Sequence, residues 1–266
     1  MDKQSSVNET IRGVWCIHCG LNSFSKAGKT PDGRQRIMCK YCKVKTTIGA
    51  KRKGERTFDE SKLIPILRKN PLSLTPAERY AMGLIIADGC FTQGHTFSFT
   101  SKDEDLVQLL HNILKTPKTY RTYDRRHEGK GIEHMLRWRY KYSKEYWAQL
   151  GLKANKTGNE EWLSYMKDSH FIRGFFDGDG SIVSSDKRLS FTSASREYLV
   201  DLSKYLNYIV GVKIQKPYLI HASRTAAWGI RYRRKELLII CSYMYEDSDN
   251  LRLERKYNKY LEIKNG

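Results

Sequence analysis

Two apolar runs in this chain each end on an aspartate followed by a glycine: MGLIIADGCF at residues 82–91 and IRGFFDGDGSI at residues 172–182. Small residues recur four apart in each run, Gly83 with Ala87 and Gly174 with Gly178, so each pair shares one helix face and lets a second backbone come close. Two helices meeting along those faces would bring Asp88 and Asp179 to one spot. A carboxylate at a helix C-terminus faces the negative end of the helix dipole, which is unfavourable unless a cation binds there. Two carboxylates with the free carbonyls of the last turns make a hard oxygen site, suited to Mg2+ rather than zinc. The glycines that follow, Gly89 and Gly180, read as left-handed helix C-caps. An EF-hand calcium loop counted from Asp177 needs glycine at its sixth place and glutamate at its twelfth, where the chain has Ile182 and Arg188, so DGDGS is not such a loop.

A second constellation lies near the N-terminus. Cys16, Cys19, Cys39 and Cys42 form two Cys-x-x-Cys pairs with nineteen residues between them, joined by a turn-rich segment containing TPDGR. Four thiolates from two such knuckles make a closed tetrahedral site for structural Zn2+. Thioredoxin-type chemistry needs only one pair, and secreted disulfides need a signal sequence, which MDKQSSVNETIRG does not resemble. His18, inside the first pair, reads as a solvent-facing residue.

The elements that must carry these groups follow from pattern. Helix 76–88 starts at LTPAE, with Thr75 at the N-cap, Pro76 in the first turn and Glu78 closing a capping box. A strand near 95–101, a helix near 103–114, strands near 119–126 and 134–142 and a helix from 143 follow. The same order begins again near Lys167, and the 91-residue spacing of Asp88 and Asp179 implies a duplicated half-domain rather than a solenoid. In LRWRYKY, Leu136, Trp138, Tyr140 and Tyr142 point one way while Arg137, Arg139 and Lys141 point the other. Trp228, Ile230 and Tyr232 oppose Arg231 and Arg233 in the second copy. Like charges in a row on one strand face repel each other without a partner.

That partner is polyanionic. The chain has 266 residues with 48 Lys and Arg against 29 Asp and Glu, a net charge of +19, and its 17 Tyr, 9 Phe and 5 Trp suffice for a real core. The basic strand faces, with Arg121 and Arg125 from the preceding strand, are candidates for nucleic-acid contact. Lys51, Arg52 and Lys53, in a basic and broken linker, are candidates for following a phosphate backbone. No apolar run approaches membrane-spanning length, so the expectation is a soluble, intracellular protein, in the cytoplasm of a microbial or phage-infected cell or in an organelle. Facing a basic surface, carboxylates that hold hard cations suit phosphodiester hydrolysis.

AMGLIIADG (81–89) and IRGFFDGDG (172–180) resemble the two motif copies of single-chain LAGLIDADG homing endonucleases, and the resemblance covers about residues 76–266. In the first copy Ile86 and Ala87 stand where the second has Asp177 and Gly178. The resemblance implies an α+β fold of two pseudo-symmetric αββαββα half-domains, with saddle-shaped antiparallel sheets lying in the DNA major groove. It implies that Asp88 with the Ala87 carbonyl, and Asp179 with the Gly178 carbonyl, bind the catalytic Mg2+ or Mn2+. It also implies a basic residue beside each site, Lys156 in LKANKTGN and Lys256 in LRLERKYNKYL, with Lys153 or Arg255 as alternatives.

The expected organisation is a zinc ribbon at 1–50, a linker at 51–75 and half-domains at 76–165 and 166–266. The expected function is site-specific cleavage of double-stranded DNA at a long, asymmetric site by a monomer. An intron RNA maturase and a non-cutting DNA-binding regulator of the same fold are the alternatives.

Overall fold

The computed structural model describes residues 24–40, 43, 45–47, 65–92, 96–116, 119–129, 131–139, 150, 152, 166–222 and 226–266. The chain divides into two compact units, Met1–Phe58 and Asp59–Gly266.

In the first unit, β1 (Phe24–Lys29), β2 (Gln35–Cys39) and β3 (Lys45–Thr47) form an antiparallel sheet in that order. The tight turn expected at TPDGR is present: Gly33, at φ +79°, donates its N–H to the Thr30 carbonyl at 2.9 Å. Glycine stands there because that φ disfavours a side chain. Ile37 and Cys39 are buried. Cys16, Cys19 and Cys42 lie outside the described residues, as do His18, Lys51, Arg52 and Lys53.

The second unit opens with two short 3-10 turns, Pro65–Arg68 and Pro71–Ser73, in the span expected to be linker, and there Ile66 and Leu74 are buried. Helix α1 (Pro76–Asp88) then begins on the expected capping box. Thr75 Oγ1 accepts from the Glu78 N–H, and Glu78 Oε2 accepts from the Thr75 N–H at 2.9 Å. Every residue from Tyr80 to Ile86 is buried, as expected of a helix apolar all round.

After α1 come β4 (Gly89–Thr92), β5 (Thr96–Ser101), α2 (Glu104–Leu114), β6 (Arg121–Asp124) and β7 (Ile132–Arg139). The series repeats as α3 (Ser169–Asp179), β8 (Gly180–Val183), β9 (Arg188–Ser193), α4 (Arg196–Val210), β10 (Tyr218–Ala222) and β11 (Ala226–Arg233), followed by α5 (Arg234–Tyr245) and α6 (Glu254–Asn265). The two sheets have the same antiparallel order, β4-β5-β7-β6 and β8-β9-β11-β10. Duplication is thus visible in topology as well as in motif spacing. Phe97, Phe99, Leu136 and Trp138 are buried on the face of the first sheet that α2 covers. Leu189, Phe191, Ile230 and Tyr232 are buried beneath α4 on the second. Burying one such aromatic contributes about 1.5–3 kcal/mol.

Three local expectations change. Strands β4 and β8 start immediately after the aspartates, where the strand pattern indicated none. Gly89 and Gly180 are extended, at φ −70° and −96°, not left-handed. Glycine is required there by space instead: a Cβ would lie 2.5 Å from the Ile85 carbonyl oxygen at Gly89 and 2.1 Å from Phe176 Cδ2 at Gly180. Finally, Arg125 falls beyond β6, at the start of a short 3-10 turn (Arg126–Glu128). Tyr140, Lys141, Tyr142 and the helix expected from 143 lie outside the described residues. Among the described residues no helix is long and apolar enough to cross a membrane.

Candidate active site and outward sheet faces

The two motif helices run side by side in the same direction at backbone contact. A Cβ on Gly174 would lie 2.0 Å from the Tyr80 carbonyl oxygen, and one on Gly83 would lie 2.1 Å from that of Phe171. One on Gly178 would lie 2.4 Å from Ala87 Cβ and 3.2 Å from Asp88 Oδ2. The small residues do what their four-residue spacing implies. They also bring the carboxylate ends of α1 and α3 together, with Asp88 exposed and Asp179 half-buried.

The last turn of α3 has its carbonyls allocated. The Phe176 oxygen accepts from the Gly180 N–H and from Lys256 Nζ, that of Asp177 from Lys256 Nζ, and that of Asp179 from Thr192 Oγ1. Among the described residues none donates to the Gly178 carbonyl. Its open oxygen, beside two carboxylates at the negative ends of two helix dipoles, is a donor set fitting a hard divalent cation. No group of three or more His, Cys, Asp or Glu residues suited to a metal occurs among the described residues. A cation here would therefore complete its shell from water or ligand oxygens, as Mg2+ does when one or two carboxylates hold it.

Lys256 is buried at this helix end. Its Nζ donates to the Phe176 carbonyl at 2.6 Å and the Asp177 carbonyl at 2.8 Å, and sits 5.1 Å from the centroid of the Phe176 ring. Burial pushes its pKa down to about 8, against the pull of the Asp177 carboxylate; Arg255 lowers it further, while Asp88 and Asp179 raise it. Lys156 lies outside the described residues, as does Lys153. Arg255 points away, making a bidentate pair with Asp103 at 2.7 and 2.8 Å that ties α6 to the start of α2 in the other half.

The acid present only in the second motif has a separate task. Asp177 is buried, and its Oδ2 accepts from Tyr80 Oη at 2.9 Å and from the Leu253 N–H at 2.8 Å. Burial pushes its pKa up to about 6, partly offset by Lys256, the Tyr80 hydroxyl, the Leu253 amide and Arg173. Arg173 is also fully buried and donates to the carbonyls of Leu251 and Met244. Together these groups fasten residues 244–256 to the motif helices and thereby fix Lys256. Sequence reasoning missed this arrangement. An arginine and an extra aspartate in an apolar run, with Met82 and Ile86 at the matching places of α1, were its signal.

The outward sheet faces carry the expected arginines in part. Arg121 and Arg137 are exposed on the first sheet, Arg231 and Arg233 on the second. The Arg139 side chain and Lys141 are outside the described residues. Arg125 is engaged by two carboxylates, Glu128 at 2.5 Å and Glu133 at 2.9 Å, which hold its pKa above the usual guanidinium range.

Residues 167–237 match the family model of a LAGLIDADG-like domain. That span runs from just before α3 into α5, and the first half repeats its order of elements. Among solved structures, the chain is similar to the homing endonuclease I-WcaI bound to its DNA recognition sequence, with TM-score 0.47 and 12% identity over 74% of this chain and 87% of that one. It is similar to full-length DUF199/WhiA from Thermatoga maritima, with TM-score 0.45 and 17% identity over 76% of this chain and 68% of that one. It is similar also to I-DmoI in complex with DNA and Ca, with TM-score 0.44 and 18% identity over 74% and 100%. No curated protein sequence matches it.

Proposed function

We propose that the protein is a site-specific endonuclease that hydrolyses both strands of a DNA duplex with Mg2+ or Mn2+ held at Asp88 and Asp179. The observation that carries this reading is the meeting of two equivalent carboxylates at the ends of helices in backbone contact, from which the two arginine-bearing sheets depart. Asp88 and Asp179, with the Ala87 and Gly178 carbonyls, would hold the cations. A bound cation there supplies an acidified water and neutralises charge on the leaving oxygen. The protein's own groups orient and screen: Lys256 keeps a positive charge at the end of α3, and Arg121, Arg137, Arg139, Lys141, Arg231 and Arg233 would contact the duplex. Lys156 would serve the other half. Arg125, already paired with two glutamates, would give structure rather than charge.

Sheets of different side chains imply a long, asymmetric site read by a monomer. Cys39, with Cys16, Cys19 and Cys42, would bind Zn2+ in an accessory ribbon, and Lys51, Arg52 and Lys53 would add phosphate contacts. A non-cutting DNA-binding regulator is the second reading, favoured by one observation: Lys256 spends its hydrogen bonds on helix carbonyls. The two part in one experiment. The full chain is incubated with Mg2+ and randomised duplexes, and the ends and the retained molecules are both sequenced. Double-strand ends at one recurring sequence support the nuclease, and retention of one sequence without ends supports the regulator.

A further inference from the structure

Register pairs the two outward faces residue by residue. Thr192 on β9, Gly229 on β11 and Tyr218 on β10 form one cross-strand row of the second sheet, and Thr100, Met135 and Arg121 form the matching row of the first. The next row places Arg231 opposite Ser190, and Arg137 opposite Ser98. The set Tyr218, Gly229 and Arg231 in one half thus corresponds to Arg121, Met135 and Arg137 in the other.

The chemistry of the two sets differs. With no side chain at Gly229, the Tyr218 ring leans over bare strand backbone: a Cβ there would lie 3.0 Å from Tyr218 Cζ and Oη. The Arg231 guanidinium then stacks on that ring, 4.8 Å from its centroid, and Nη2 donates to Tyr218 Oη at 2.9 Å. Arg125, Arg126, Arg188, Arg252 and Arg255 are all paired with carboxylates. Among the described residues no carboxylate pairs with Arg231, which is oriented by the Tyr218 ring and so keeps its charge and the N–H donors that Tyr218 does not use. In the first half, Arg121 and Met135 stand where the second half has Tyr218 and Gly229, and with Arg137 they line an open concavity with Thr96, Tyr123 and Trp138.

A planar fork fixed in orientation and left uncompensated in charge is suited to bidentate recognition of guanine O6 and N7 in the major groove. We infer that Arg231, clamped by Tyr218 over Gly229, is a specificity-determining residue that selects one G·C pair in the half-site under the second sheet, by a pair of residues that the first sheet replaces with Arg121 and Met135. This rests on the DNA reading above.

The test selects duplexes bound by the full chain from a randomised pool and reads base preference at each position. The wild type should show one G·C position favoured by about 5-fold to 150-fold, the usual worth of a bidentate pair. Arg231→Ala should flatten that position alone. Tyr218→Leu should flatten it in large part while Arg231 remains, and Tyr218→Phe, which keeps the ring and loses the hydroxyl, should fall between. Uniformly weaker binding with the preference intact in Arg231→Ala would make it a phosphate contact and overturn the inference. So would an unchanged preference in Tyr218→Leu. A wild type that enriches no sequence would remove the DNA reading and this inference with it.

Discussion

Replacing Gly174 by alanine puts one methyl group between two helix backbones. Its Cβ would sit 2.0 Å from the Tyr80 carbonyl oxygen, whereas real Cβ contacts stay beyond 3.0 Å, so the helices must part by roughly 1 Å. The obstacle is backbone in the middle of a buried helix and cannot rotate aside. Overpacking of this kind costs about 3 kcal/mol. The gain in helix propensity from glycine to alanine returns about 1 kcal/mol. The net loss of about 2 kcal/mol corresponds to a fall in Tm of about 4–8 °C for a unit of this size. Parting the helices also separates Asp88 from Asp179, so cleavage should fall by more than the loss of folded protein explains. Calorimetry on Gly174→Ala and Gly83→Ala, beside DNA cleavage at a temperature where both remain folded, measures the two effects. An unchanged or raised Tm in both variants would refute backbone contact as the basis of the pairing.

Other consequences follow from the buried groups and the N-terminal unit. Lys256→Met leaves Asp177 buried without its main cation and should cost about 3–5 kcal/mol, read by chemical denaturation. Because burial raises the Asp177 pKa to about 6 from 3.8, its share of stability is full below about pH 4 and is lost as pH rises through 6, by about 3 kcal/mol in all. The stability of Asp177→Asn relative to wild type should accordingly rise between pH 4 and 7, and a flat difference would contradict it. The purified chain should carry one zinc ion by elemental analysis, and Cys39→Ser should lose it. Residues 1–58 hold 13 Lys and Arg against 4 Asp and Glu, so their removal should weaken DNA binding and make its salt dependence shallower, by about 0.9 in log–log slope for every phosphate they neutralise.

The helix pair was legible because two independent signals agree: LTPAE fixes where α1 starts, and small residues four apart fix which face packs. The last strand of each half, β7 and β11, was legible for the same kind of reason, since Leu136 and Ile230 are buried while Arg137 and Arg231 are exposed. Strands β4 and β8 were not, because GCFT and GSIV are too short to display a period and follow the helix without a turn. Gly89 and Gly180 were identified as necessary but for the wrong cause, since a sequence does not distinguish a positive φ from a close approach. Lys256 was found beside the site, yet its bonds to the Phe176 and Asp177 carbonyls depend on how residues 244–256 return to α3. The Tyr218 clamp depends on strand register, which local pattern does not carry.

In the reading proposed above, Asp88 and Asp179 serve metal-dependent cutting rather than folding or DNA contact. That claim is tested most directly by Asp88→Asn and Asp179→Asn, each assayed for Mg2+-dependent double-strand cleavage and for binding of the same selected duplex without metal. The expected result is loss of double-strand cleavage in each variant, with binding within a few-fold of wild type and an unchanged Tm. Wild-type cleavage by either variant would contradict the claim, and so would a loss of binding equal to the loss of cleavage.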